Sequence, residues 1–411
     1  MQRSITWAVS ASLAVMVVGC QKQAEQAPSV AAADGAFAAT LQERLLDAKP
    51  GDVIDIPAGR HQFERSLSLR ADGVTIRGAG MDQTVLSFKG QKAGAEGLLV
   101  NGDNFTIENL TIEDSKGDGL KISESENITI RGVKVQWTGG PSTKNGAYGI
   151  YPVLTKNVLI ENTISIGASD AGIYVGQSDG VIVRNSRAEQ NVAGIEVENT
   201  RNADVYDNVA TGNTGGILVF NMPGLSQQGA NIRVFNNKVI ANNHANFGAK
   251  GTPVASVPAG SGVVINSNDD IEVFDNEIRD NATANIIVSS VYSTGYKDSS
   301  ASASFDPYPE RIYIHNNTLS GGGDSPDGLD LKALKVATFG LTGNFPDVLW
   351  DGYFNANRVV DGVRMGPQIC LRDVNGVINA DGPGGYKNPS KDLKPFDCEL
   401  PRLPAIDLKR G

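Results

Sequence analysis

Positive charge is in short supply in this 411-residue chain: 36 Lys and Arg stand against 46 Asp and Glu, for a formal charge of −10. A surface of that sign repels a phosphate backbone, so nucleic acid is excluded as a partner. Aromatic residues make up only 6% of the sequence, while 47 glycines and short Val/Ile runs recur throughout. That balance excludes a bundle of packed amphipathic helices and suits many short strands joined by tight turns. Histidine occurs three times, at His61, His244 and His315, too far apart in sequence to suggest a metal centre. Asp324, Asp327 and Asp330 share a Gly-rich turn but lack the flanking ligands of a calcium loop, so a solvated turn is expected. No nucleophile elbow, phosphate loop or dinucleotide fingerprint stands in a credible context. Neither a metal nor a cofactor is expected.

Long hydrophobic runs are also missing, apart from Ile5 to Val18, which is too short to span a bilayer comfortably. It follows a positive start, Met1-Gln2-Arg3, and ends in Val17-Val18-Gly19-Cys20. The segment resembles the lipobox of bacterial lipoproteins. That resemblance implies cleavage before Cys20, lipidation of Cys20 and anchoring to a membrane of the cell envelope. Gln21, in place of Asp, implies sorting to the outer membrane. Residues 1–20 are thus read as a signal peptide and 21–37 as a flexible tether. Two cysteines remain, Cys370 and Cys398, and in an oxidising compartment a disulfide between them is expected, with two separate thiols as the alternative.

What the sequence has in plenty is a repeat. A glycine followed by alternating residues recurs at Gly97, Gly119, Gly149, Gly172, Gly194, Gly216 and Gly262, and Asn285 opens a glycine-less copy. Successive starts lie 22, 30, 23, 22, 22, 46 and 23 residues apart, and a second short strand follows each first one. A period near 22 matches one coil of a parallel β-helix and is about half a propeller blade. In each coil the residues after Gly alternate, so Ile173 and Val175 are assigned to the core and Tyr174 to the outer, solvent face. Asn109, Asn162, Asn185, Asn208, Asn237, Asn276 and Asn317 follow the second strands, with Gly132 substituting once. They are read together as a structural asparagine ladder.

Where the spacing exceeds 22, loops are expected at 137–147, 222–230, 244–261 and 291–309. Thr40 with Glu43 three residues later forms a capping-box signature for a short amphipathic helix, placed to cover the open end of the solenoid. The β-helix domain is assigned to 38–330, and 331–411 to terminal coils with an irregular extension.

The stretches Gly73-Val-Thr-Ile-Arg-Gly-Ala-Gly80, Asn191-Val-Ala-Gly-Ile-Glu-Val-Glu-Asn199 and Asn213-Thr-Gly-Gly-Ile-Leu-Val-Phe220 carry a family likeness. They resemble the right-handed parallel β-helix superfamily of pectate lyases, mannuronan C5-epimerases and periplasmic copper-site maturation proteins. More closely, the chain looks like a group of bacterial β-helix-repeat lipoproteins. The resemblance implies an all-β, right-handed, single-stranded parallel β-helix solenoid with a short N-terminal capping helix. It leaves activity open, because one solenoid hosts many functions. One local segment, Tyr148-Gly149-Ile150-Tyr151-Pro152-Val153, resembles the epimerase motif Tyr-Gly-Phe-Asp-Pro-His. Tyr148, Gly149 and Pro152 match, but Tyr151 replaces the motif's Asp and Val153 its His, so the acid/base pair of that motif is absent.

Two residues beyond each coil-starting glycine lies one outward column: Lys121, Tyr151, Tyr174 and Glu196, then Leu218, Val264 and Ile287. Glu198 stands two residues beyond Glu196 on the same strand. A cation, two phenols and two carboxylates on one rigid face suit proton transfer and stacking against a sugar ring. Lys121, Tyr151, Tyr174, Glu196 and Glu198 are therefore the candidate catalytic residues, with a ladder carrying incidental charges as the alternative. Glu196 and Glu198 alone fall far short of a Ca²⁺ ligand set. Three functions remain open: a protein that binds or acts on polysaccharide, an envelope scaffold binding a protein partner through its loops, and an accessory factor for maturation of a periplasmic metalloenzyme.

Overall fold

A period of 22 residues leaves room for three short strands and three turns per coil, and that is what the chain builds. The computed structural model describes residues 35–294 and 305–408. A representative coil runs through strands Ala171–Gly176, Asp179–Arg184 and Arg187–Glu189, and the next through Ala193–Glu198, Arg201–Tyr206 and Val209–Thr211. Each strand pairs in parallel with its counterpart one coil on, as in Ile173↔Ile195, Val181↔Ala203 and Ala188↔Ala210. Among the described residues the first strands of the coils form an 11-stranded sheet, and the second and third merge into a 19-stranded one.

The interior is a stack of branched side chains. Ile173, Val175, Ile195, Val197, Ile217 and Val219 are all 0% exposed, as the alternation requires. Each such side chain contributes about 1.5–3 kcal/mol by leaving water. The coil-starting glycines are demanded by close approach. A Cβ on Gly172 would stand 2.5 Å from Asn191 Nδ2, and one on Gly194 would stand 2.8 Å from Asn213 Nδ2.

Those contacts reveal two buried polar ladders where one was expected. In the first, Asn208 N, Asn237 N and Asn276 N donate to Oδ1 of Asn237, Asn276 and Asn317, at 3.0, 2.9 and 3.0 Å. Towards the N-terminus Ser186 and Thr163 continue this ladder. Asn109, Asn162 and Asn185 do not belong to it. They stand one residue earlier, with φ of +60°, +53° and +49°. The corner needs a left-handed residue and then a ladder residue, and asparagine serves both needs. A second ladder, Asn191, Asn213, Asn242 and Asn281, runs beneath the coil-starting glycines. Its signal was available as the Asn three residues before Gly194 and Gly216.

Helix α1, Gly35–Leu46, closes the first coil. Leu41 and Leu45 are buried in the core, and the Gln42 side chain bonds both Ser68 N and Ser68 O on the adjoining edge strand. The capping box did not form. The helix begins five residues before Thr40, whose hydroxyl donates to Phe37 O inside it. At the other end, strands Val348–Trp350, Ile369–Leu371 and Val377–Asn379 extend both sheets. Cys370 and Cys398 are joined in a disulfide. An unexpected helix α2, Leu329–Phe339, lies between the coils. Asp327, in the turn before it, accepts from Ala259 N and Gly328 N. The signal peptide, most of the tether and Cys20 lie outside the described residues, as does 295–304 of the last loop.

Candidate functional site

The outward column is real and in register: Lys121 pairs with Tyr151, Tyr174 with Glu196, Glu196 with Leu218, and Gly176 with Glu198. Facing outward does not mean facing water, however. Tyr174 and Glu196 are each only 4% exposed, which corrects the assignment of Tyr174 to a solvent face. Beyond them Leu218, Val264 and Ile287 lie beneath a second apolar cluster that includes Val254, Val257, Leu334 and Phe345. The 244–261 loop and α2 thus cover the C-terminal half of this face and leave the N-terminal half partly open.

At the boundary three tyrosines gather. The ring centroids of Tyr148 and Tyr151 lie 4.3 Å apart, those of Tyr148 and Tyr174 4.6 Å, and those of Tyr151 and Tyr174 5.0 Å. Lys121 Nζ stands 5.1 Å from the Tyr151 ring centroid, a cation–π contact. The Tyr174 hydroxyl donates a short hydrogen bond to Glu198 Oε2.

Two acids missed by the sequence reading complete the group. Asp118 accepts from Tyr148 N at 3.2 Å, and Asp170 is hydrogen-bonded by the Tyr148 side chain. Both sit at coil corners, outside the column that alternation picks out. Tyr148 precedes the coil-starting Gly149 and so stands outside the column as well.

Burial dominates the electrostatics here, because a charged carboxylate loses its hydration and gains no nearby arginine. It pushes Asp118 up to about 6, against the pull of Tyr148 N and Lys121. Asp170 rises to about 8, first through burial and then through repulsion from Glu198. Glu196 is raised well above the usual carboxylate range by burial, Asp170 and Glu198, and its Oε2 is buried with no hydrogen-bond partner. Burial also raises Glu198, opposed by the Tyr174 hydroxyl. The tyrosines move upward too, Tyr151 to about 12. Every acid and phenol in this cluster is thus shifted toward its protonated form, beside one lysine.

Three carboxylates elsewhere, Asp269, Asp306 and Glu310, bring oxygens within 4.8 Å of one another. Arg311 pairs with Asp269 and Glu310, and Arg358 with Glu310, so arginines already answer the charge. A cavity of about 420 Å³ lies beside them, lined by Arg201, Gln228, Asp269, Asp306 and Arg311. His315 pairs with the buried Glu272 and is not near His61 or His244 in any metal-ligating group among the described residues.

The family model for a right-handed β-helix region matches residues 72–226 and 143–319. No curated protein sequence matches the chain. Among solved structures, the A-module of the mannuronan C-5 epimerase AlgE4 of Azotobacter vinelandii superposes with a TM-score of 0.52 at 20% identity. The match covers 79% of this chain and 89% of that module. The AlgE6 A-module of the same organism gives 0.48 at 17% identity over 80% and 88%. A Paenibacillus alginate lyase gives 0.39 at 16% identity over 70% and 96%. At these identities the likeness is one of fold.

Proposed function

The chain belongs to the right-handed β-helix family, and on that scaffold we propose that the face around Tyr148, Tyr151 and Tyr174 binds and acts on an acidic, uronate-type polysaccharide. The observation that carries this reading is the joining of three tyrosine rings and Lys121 to four acids that burial raises above the usual carboxylate range. Rings give a sugar its apolar face to rest on. Lys121 and a protonated acid are a matched pair for a uronate carboxylate, which has to be neutralised before the proton at C5 becomes acidic. Asp118, raised to about 6, lies within the range of an effective base, while Glu196, which burial raises well above the usual carboxylate range, is suited to the part of the acid. Because Tyr151 and Val153 replace the motif's Asp and His, this assignment rests on residues outside that motif. The same replacement favours a second reading, an envelope scaffold that binds a protein partner without catalysis. Export and lipidation of Cys20 belong to the proposal and are read out by the mass of the mature N-terminus.

The test is a titration of the protein with polyuronates and neutral glycans, following double-bond formation and C5 inversion, with Glu196→Gln and Tyr174→Phe alongside. Uronate binding or turnover that falls about tenfold or more in both variants, some 1.4 kcal/mol, is the expected result. Wild-type protein that engages no glycan overturns the reading in favour of the scaffold.

A further inference from the structure

The open part of the outer face ends abruptly, and the way it ends bears on how a polymer would enter. Along the column the half-buried Lys121 and Tyr151 give way to Tyr174 and Glu196 at 4% exposure, and then to Leu218 at 0%. Leu218 is covered where it stands. A Cβ built on neighbouring Gly215 would meet Leu218 Cδ1 at 3.0 Å and Val257 Cγ1 at 3.2 Å, so the 244–261 loop rests directly on this rung. The covering continues over Val264, Ile287, Leu349 and Ile378, none more than 8% exposed.

This covering is fastened at several points. Asn246 Nδ2 donates to Val254 O and Val257 O at 3.0 and 2.8 Å, holding the loop in its own fold. Ala259 N donates to Asp327 Oδ2 at 3.1 Å and Thr283 Oγ1 to Ala259 O at 2.5 Å, tying the loop to the turn before α2 and to the next coil. In the other direction Leu99, the column's next member beyond Lys121, is partly exposed. The accessible face is closed at one end and open at the other.

Building on the polysaccharide reading above, we infer that the site takes the end of a uronate chain rather than its middle, with the terminal sugar on Tyr151 against the edge where Tyr174, Glu196 and the Leu218–Val257 cover close the face. From Leu99 to Tyr151 the partly exposed column spans two rungs of about 4.8 Å, roughly 10 Å, which accommodates about two sugar units before that edge. A chain laid along the column cannot continue past Tyr151, because Tyr174, Glu196 and Leu218 beyond it are already covered, the last by apolar side chains that are better out of water. Lys121 then holds the unit that trails out toward Leu99.

Calorimetric titration of the full chain with short uronate oligomers and with long polyuronates of defined length tests this. End recognition predicts a fixed number of protein molecules per polysaccharide chain, unchanged as the chain lengthens, with affinity levelling off after a few units. Protein bound per chain that grows in proportion to length overturns the inference while leaving the polysaccharide reading intact. Absence of binding to oligomers and polymers alike removes that reading and the inference with it, a result distinct from length-proportional binding.

Discussion

Gly176 lies directly under the ring of Tyr174: a Cβ at position 176 would stand 2.3 Å from the Tyr174 hydroxyl oxygen and 2.4 Å from Cε1. The glycine therefore does more than turn a corner. It lets the tyrosine fold back along its own strand and reach Glu198 on the next rung.

Gly176→Ala should displace that ring. Tyr174 is wedged among Tyr148, Tyr151 and the covering cluster, so the added methyl cannot be absorbed by a simple rotation. Overpacking of this kind costs about 1–3 kcal/mol. The near-UV circular dichroism of the tyrosine cluster should change while the far-UV spectrum stays that of the wild type. An unchanged near-UV spectrum would mean that the ring does not occupy the place described.

The two asparagine positions at each corner should respond differently. Asn237 is fully buried, donates to Val205 O and Asn276 Oδ1, and accepts from Asn208 N and Nδ2. Its replacement by Ala strands several buried groups and should cost on the order of 2–4 kcal/mol. Asn185→Ala removes an exposed side chain and leaves only the left-handed backbone to be borne, about 1–2 kcal/mol. Chemical denaturation of both variants checks this, and equal losses would return Asn185 to the ladder.

Asp170 should make the protein less stable as the pH rises. Folded, it keeps its proton up to about 8, whereas its ordinary value is 3.8. For an acid raised by folding, the protonated form is the one the fold favours. Its contribution is complete below pH about 4 and is lost as the pH climbs through about 8. Melting temperatures from pH 5 to 9 should fall in the wild type, and more gently in Asp170→Asn. A variant whose melting temperature declines as steeply as the wild type's would remove Asp170 as the cause.

Much of the architecture was legible because it is written locally and then repeated. The glycine before Ile173, Ile195 and Ile217 recurs at one spacing, and alternation from it sends those side chains inward and Tyr174 and Glu196 outward. The ladder was legible only in part. Doublets such as Asn236-Asn237 and Asn316-Asn317 put asparagine at both the left-handed and the buried position, and nothing local says which is which. At Asn162-Thr163 and Asn185-Ser186 the doublet is broken, and the asparagine there takes the left-handed place. Asp118 and Asp170 were passed over for a related reason: they precede the strands at corners, where period-2 counting does not reach.

By itself the sequence determined the coil, its period, its register and the direction of each strand residue, since these follow from backbone alternation and the close approach that only glycine permits. Only the tertiary structure decided which outward residues meet water. That depends on where the 244–261 insertion and α2 come to rest, and their apolar side chains settle on Leu218 and Val264 because those surfaces too are better out of water. The edge of that covering is what separates a tyrosine–acid cluster open to a ligand from a buried seam.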